Sequence, residues 1–337
     1  MNVTPLEWWI TIGVTVAVLL FDVIVIARRP HEPSMKEAGL ALTVYVGLAI
    51  AFGVWVASFH GGQYGLEFFT GWLTEYSLSV DNLFIFIIIM ASFKVPRVYQ
   101  QEALMIGIIL ALVFRGIFIA LGAAAINNFS WVFYIFGLFL VWTAYGLVKS
   151  YRNHDNEEAG DNAVVRFAER HFSVADEFHG MKMAIRIDGK RYLTPMFLVI
   201  LALGSTDLLF ALDSIPAIYG ITQEAYLVLT ANIFALMGLR QLYFLLGGLL
   251  QRLVYLSLGL SVILAFIGVK LVLHALHTNE LPFINDGQHL DVPEVPTLAS
   301  LGVILVVLGI TAAASLWKTR HQPPPQRPDE REDIPQH

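Results

Sequence analysis

The chain has 337 residues, 56% of them apolar or aromatic and only 14% charged, with a formal net charge of −6 and a mean hydropathy of +0.64. A soluble domain of this length needs a larger charged surface to stay dispersed, so the composition excludes an ordinary water-soluble protein. There is no cysteine, which excludes thiolate chemistry by the chain itself.

A helix needs about 20 mainly apolar residues to cross the hydrocarbon core, and such windows recur along the chain. The first, 8–27, has no basic n-region or small-residue cleavage site before it and reads as a retained span; it carries Asp22. The second is 40–59. The third, 65–93, carries Glu75, Asp81 and Asn82, and the fourth, 103–127, carries Arg115. After a fifth span at 131–148 comes a polar loop, 150–192, whose end alternates around Asp188-Gly189, a hairpin signal. The sixth span, 192–212, carries Asp207, with Asp213 and Ser214 at its end. Asn232 and Arg240 lie in the seventh, 225–250, and Lys270 in the eighth, 253–276. An acidic loop, 277–296, with Glu280, Asp286, Asp291 and Glu294, leads to the ninth, 297–317. This loop reads as a solvated connection or a cation-attracting vestibule. The tail, 318–337, is rich in Pro and charge and reads as disordered.

The fold class expected is an all-α membrane protein, with about nine transmembrane helices in a membrane domain over 1–317. Lys and Arg favour the cytoplasmic side in short loops. With the N-terminus outside, the inner connections hold every Lys and Arg except Arg115, Arg240 and Lys270, which lie within spans. The C-terminus is then cytoplasmic.

The third and sixth spans resemble each other. Glu75-Tyr-Ser-Leu-Ser-Val-Asp81-Asn82 and Asp207-Leu-Leu-Phe-Ala-Leu-Asp213-Ser214 each place an acid six residues before an Asp with a small polar neighbour. Downstream, Arg115 precedes Gly122 by seven residues, as Arg240 precedes Gly247; Gly146 and Lys149 echo Gly268 and Lys270. These spacings predict two three-helix repeats, 65–149 and 193–276. An odd number of spans per unit inverts the second copy, an architecture that binds substrate near the midplane where the copies meet.

Ionisable side chains in hydrocarbon are costly, roughly 2.5–3.5 kcal/mol each on insertion scales, so Glu75, Asp81, Asp207 and Asp213 need partners. Arg115 and Arg240 are candidate charge partners. The carboxylates then serve structural ion pairs, a proton relay or a cation site, and these roles overlap. Residues six apart on a straight helix are rotated by about 240°. For both acids of one span to meet one ion, the helix must unwind, and Pro216 with Gly204 and Ser205 predicts such a break in the sixth span. Otherwise each acid faces a different neighbour. The donors are all oxygen: the carboxylates, the amides of Asn82 and Asn232, the hydroxyls of Ser79, Ser205, Thr206 and Ser214, and backbone carbonyls. Such a set suits Mg²⁺, Ca²⁺ or Mn²⁺. Asp22, which has no repeat partner, is a possible further member. No nucleophile–base pair or nucleotide-binding loop is present, so no enzyme activity, cofactor or nucleic-acid partner is expected. An intramembrane aspartyl protease would carry a Gly-x-Gly-Asp turn where this chain has Gly204-Ser205-Thr206-Asp207.

The two acidic segments resemble the signature segments of the TerC family, named for tellurite resistance. So do Asn232-Ile-Phe-Ala-Leu-Met-Gly-Leu-Arg240-Gln-Leu-Tyr-Phe and the phrase Asp176-Glu177-Phe178-His179-Gly180 before Arg191-Tyr-Leu-Thr-Pro195. The likeness covers most of 40–275 and suits the Alx-like branch. It implies an inner-membrane secondary transporter that exports manganese, related to LysE-type exporters. By this carry-over Glu75, Asp81, Asp207 and Asp213 are the metal-site acids, with Asn82 and Ser214 beside them; it is the resemblance that singles out Mn²⁺. The alternative is a membrane scaffold that delivers metal to partner or secreted proteins, docking them through 150–192.

Overall fold

The computed structural model describes residues 1–28, 34–129, 131–153, 163–175, 177–187, 190–246, 253–279, 281 and 284–320. Nearly all of this is helix: α1 (Pro5–Arg28), α2 (Met35–Phe59), α3 (Gly62–Ser92), α4 (Arg97–Asn128), α5 (Val132–Asn153) and α6 (Ala163–His171) lead to a hairpin. Then come α7 (Pro195–Tyr219), α8 (Ala225–Met237), α9 (Leu239–Leu246), α10 (Leu256–His277) and α11 (Thr297–Thr319). Among the described residues eight stretches are long and apolar enough to cross a membrane: α2, α3, α4, α5, α7, the run Ala225–Leu245 through α8 and α9, α10 and α11. At the expected first span stands α1, 24 residues long, of which Pro5–Val18 is the apolar part that is described.

The distribution of side chains is that of a protein solvated by lipid. On α4, Val113, Ile117 and Leu121 recur at i, i+4 and i+8 and are 52%, 53% and 60% exposed, whereas Ala111, Arg115 and Ile119 face inward. Apolar residues outside and a charge inside reverse the pattern of a water-soluble core. The chain is therefore a multi-pass integral membrane protein. Hydroxyls on α3 are satisfied within their own helix, Thr70 donating to Leu66 O at 2.7 Å, Thr74 to Thr70 O at 2.8 Å and Ser77 to Leu73 O at 2.6 Å, because no water is available to take them.

Helix boundaries follow local chemistry. Ser34 and Glu37 form a reciprocal capping box at the start of α2. At α7, Thr194 is the N-cap and Pro195 follows at the first turn, where its missing N–H is harmless. Strands β1 (Ala184–Ile187) and β2 (Lys190–Leu193) pair antiparallel with Ile187 opposite Lys190; the Asp188-Gly189 turn lies outside the described residues.

Four expectations change. The break expected in the sixth span is not there: α7 runs unbroken from Pro195 to Tyr219. Pro216 lies so close to its end that the next bond, Gly220 N–H to Pro216 O at 2.9 Å, closes the helix. The interruption falls in the seventh span instead, at Gly238 between α8 and α9. The loop 150–192 holds a helix besides the expected hairpin, since α5 continues to Asn153 and α6 buries Val165 and Ala168 in the apolar cluster that α7 shares. The tail begins later than expected, because α11 extends to Thr319; residues 321–337 lie outside the described residues.

The packing of α3, α4 and α5 against α7, α8 and α10 has a regular form. α3 packs on α8 as α4 does on α7, and α5 meets α7 as α10 meets α3. α3 also meets α7, α4 meets α8, and α5 lies along α10. Exchanging the two sets of helices reproduces this list. The α5–α10 crossing is close at Gly137 and Gly268. A Cβ on Gly137 would lie 2.7 Å from Gly268 O, and one on Gly268 would lie 2.8 Å from Gly137 O. Small residues let helix backbones approach where no water drives association.

Candidate functional site

The site is built from α3, α4, α7 and α8, and its position is set by two apolar clusters. On α4, Ala111 belongs to one cluster and Ile119 to the other, with Arg115 midway. On α7, Asp207 lies between Leu203 and Ile215, and on α8 Asn232 lies between Leu236 and Val228, again one from each cluster. Apolar packing thus closes the polar layer from both ends of the bundle. Glu75, Arg115 and Asn232 are fully buried, and Asp207 is 2% exposed.

Arg115 is the hub. One of its terminal nitrogens, Nη1, pairs with Glu75 Oε1 and donates to Asn232 Oδ1 at 3.0 Å. The other, Nη2, lies 3.5 Å from Asp207 Oδ1. In the amide orientation that satisfies both of its ends, Asn82 accepts from Nη2 at 3.1 Å and donates to Leu78 O at 3.0 Å. Asn232 is held in the same manner, donating to Val228 O at 3.4 Å. Each amide thus spends its N–H on the carbonyl four residues back and presents its oxygen to the guanidinium. The rigid fork of donors on Arg suits this arrangement, and Arg stays charged when buried.

Several polar atoms remain without a hydrogen-bond partner among the described residues: Glu75 Oε2, Asp207 Oδ2, Ser79 Oγ, Ser214 Oγ and Arg115 Nε. Their spacing gives them common faces. Glu75, Ser79 and Asn82 stand at i, i+4 and i+7 on α3, and Asp207 and Ser214 at i and i+7 on α7. An i+7 step returns to the starting face of a continuous helix, whereas an i+6 step does not.

In α7 the helix is unbroken, so its two acids face different neighbours, the second of the two arrangements that the spacing allowed. With α7 continuous, Asp213 falls on another face than Asp207 and is partly exposed rather than buried. The acids that meet are Glu75 and Asp207, one from each unit, across Arg115. The side chains of Asp81 and Asp22 lie outside the described residues. Arg240, the expected counterpart of Arg115, is half-buried, and the amide of Gln241 presents its oxygen to Arg240 Nη2 at 3.0 Å in its satisfied orientation. Among the described residues no group of three or more His, Cys, Asp or Glu side chains converges on one point. What converges on the guanidinium is two carboxylates and two amide oxygens, an all-oxygen set, with the buried hydroxyls of Ser79 and Ser214 on the same helix faces.

Ser79, one of the expected hydroxyl donors, stands one turn from Glu75 on the same face, buried and without a hydrogen-bond partner among the described residues. The end of the bundle where α3 and α8 begin carries a second polar network. Glu67 accepts from Thr222 Oγ1 at 2.7 Å and from Gln63 Nε2 at 3.0 Å. Lys270 Nζ donates to Ser300 Oγ at 3.1 Å, and His274 Nδ1 lies 3.3 Å from Glu294 Oε1. The acidic connection 277–296 therefore has at least one basic neighbour, in α10.

Comparison with known proteins adds to this geometry. Residues 60–323 match the model of the "Integral membrane protein TerC family". An uncharacterized membrane protein of Mycobacterium tuberculosis is 47% identical over 322 residues, 95% of this chain and 81% of that protein. One from Myxococcus xanthus is 37% identical, over 95% of each chain. The Escherichia coli protein named "Putative membrane-bound redox modulator Alx" is 35% identical, over 93% of this chain and 95% of its own. No solved structure matches.

Proposed function

The chain belongs to the integral membrane protein TerC family, and from that premise we propose that it is a secondary transporter exporting Mn²⁺ across the bacterial inner membrane. The observation that carries this reading is the meeting of Glu75 and Asp207 in a layer closed by apolar packing on both sides. Buried ionisable groups at membrane depth mark ion pathways. Here they come from the two helices with matching acidic segments, and the exchange symmetry of the packing supports an inverted pair of three-helix units. Glu75, Asp207, Asn82, Asn232 and Ser214 supply the oxygen ligands; Asp81 and Asp213 serve entry or exit on either side. Oxygen-only donors favour Mn²⁺, Mg²⁺ or Ca²⁺ over Cu²⁺ or Zn²⁺. No cofactor or covalent step is needed, and the N-terminus lies outside with the C-terminus cytoplasmic.

Flux into proteoliposomes tests the proposal. Purified protein is expected to move Mn²⁺ faster than Mg²⁺ or Ca²⁺, with proton coupling read from the response to a pH gradient. Glu75→Gln and Asp207→Asn are expected to lower the rate more than tenfold, a loss of at least about 1.4 kcal/mol in transition-state stabilisation. Wild-type rates in both variants would sink the role of the site.

The ordered inner unit favours a second reading. α6 and the hairpin leave Phe167 and Phe172 60% and 55% exposed beside α7, a surface suited to a protein partner in a metal-delivery scaffold. Mn²⁺ movement only when a partner is added would favour it. The redox role in the name of the E. coli relative cannot use thiols of this chain, which has no cysteine.

A further inference from the structure

We infer that Arg115 is a tethered counter-cation that a transported dication displaces, so that the pair of carboxylates faces a positive charge both with and without cargo. The inference deepens the transport reading and rests on it. The guanidinium sits on the line between the two units, against Glu75 of α3 and Asp207 of α7, and is held by amides from α3 and α8. It occupies the same oxygen set that a dication would take.

Its hold is uneven. Glu75 and Asn232 grip Nη1 closely, whereas Asp207 touches Nη2 only at 3.5 Å and keeps Oδ2 free of any hydrogen bond among the described residues. Nε of Arg115 is likewise unbonded there. A group with one firm and one loose side has a direction in which to swing, and the open oxygens of Asp207 and Glu75 give an incoming ion its first contacts. Both partners are positively charged, so ion and guanidinium compete for the same oxygens, and each disfavours the other at close range.

The physical need is in the return step. A carrier that has released its cargo must rearrange with its acids still at membrane depth, where an uncompensated carboxylate is penalised by roughly 2.5–3.5 kcal/mol on insertion scales. One guanidinium compensates one of the two carboxylates and so lowers that penalty without any second transported ion. Arg115 is on this account a positioning and coupling residue: it weakens cargo binding and speeds the reset.

The test uses purified wild type, Arg115→Gln, Arg115→Lys and the double variant Glu75→Gln/Arg115→Gln, each full-length in lipid nanodiscs or liposomes. Arg115→Gln is expected to bind Mn²⁺ about tenfold more tightly or better while net uptake into Mn²⁺-free vesicles falls about tenfold. Exchange of labelled for unlabelled Mn²⁺ skips the unloaded return, so the ratio of exchange to net uptake should rise. Arg115→Lys keeps the charge and loses the fork, and gives a smaller gain in affinity. Wild type that binds Mn²⁺, with no gain in either single variant, overturns the inference and leaves the transport reading standing. Wild type that binds none of Mn²⁺, Mg²⁺ and Ca²⁺ overturns the transport reading. The counter-charge itself is read without metal. Removing one acid together with the arginine should recover thermal stability lost in Arg115→Gln alone, and no recovery overturns that part.

Discussion

Two carboxyl groups and one guanidinium share a buried layer that apolar clusters close at both ends, and this makes Glu75 a residue on which the fold depends. Breaking a buried ion pair from one side costs about 3–5 kcal/mol where the other charge is left alone; Arg115 keeps Asp207 at 3.5 Å, so the loss of Glu75 belongs at the low end of that range. Glu75→Ala is accordingly expected to lower the thermal unfolding midpoint in detergent markedly. Asp213→Ala, at a partly exposed position, should shift it far less; equal shifts would argue against the hub. Asn232→Leu removes one acceptor from Arg115 and keeps the volume. A hydrogen bond to a charged group is worth about 1.5–3 kcal/mol, so an intermediate shift is expected, measured in the same melt. That Arg115 pairs with an acid of the matching segments was legible in the sequence, since a charged residue within an apolar span must find a partner of opposite sign; that it lies between two of them was not. Nor was which acids it chooses. The repeated i+6 spacing drew Asp81 and Asp213 into the pair, but the helical period makes i+7 the shared face once α3 and α7 are continuous. The visible motif and the buried stripe therefore differ by one residue.

At the scale of helices, the contact between α5 and α10 turns on glycine. A methyl group at position 137 would press on the backbone carbonyl of Gly268, and backbone cannot step aside as a flexible side chain can. Gly137→Ala is expected to destabilise by about 1–3 kcal/mol, the range for overpacking a tight contact. Gly146, on the same helix, has nothing within 4 Å of where its Cβ would lie. Gly146→Ala should be neutral or stabilising by about 0.5–1 kcal/mol, because Ala loses less conformational freedom than Gly in a helix. Thermal melts of both variants in one detergent check the contrast, and equal costs would refute the crossing. Hydropathy located some spans to within a few residues, as 65–93 against Gly62–Ser92 and 297–317 against Thr297–Thr319 illustrate, but ended the sixth at 212 where α7 (Pro195–Tyr219) runs on to Tyr219. It did not find the glycine contact, because glycine is common in membrane helices and only a tertiary partner tells which one is packed. It also missed α6, nine residues long, too short for a hydropathy window and helical through its amphipathic fit to α7.

The topology of the whole molecule depends on α1. If α1 crosses, the N-terminus lies on the same side as the turn between α2 and α3; if it lies flat or packs from one side, the two are opposed. Here the Met1 amine donates to Tyr64 Oη at 2.8 Å, and Tyr64 is in the first turn of α3. A contact at that end requires α1 and α2 to run the length of the bundle in opposite directions. The same geometry puts the basic residues of the inner unit, Lys182, Arg186, Lys190 and Arg191, at the far end beside the start of α7, as the charge bias expects of a cytoplasmic face. Because the chain has no cysteine, single cysteines report sidedness without background. In right-side-out vesicles an impermeant maleimide is expected to label Asn2→Cys, Gln63→Cys and Gln223→Cys at once, and Lys182→Cys and Lys190→Cys only after permeabilisation. Labelling at Gln63 and Gln223 but not at Asn2 would remove α1 from the spans and put the N-terminus inside. The reverse pattern throughout would invert the molecule, so that the proposed exporter would present its faces to the opposite compartments. Sidedness therefore bears directly on function: the Glu75–Arg115–Asp207 layer is closed at both ends, and only the orientation of the bundle says from which compartment its cargo enters.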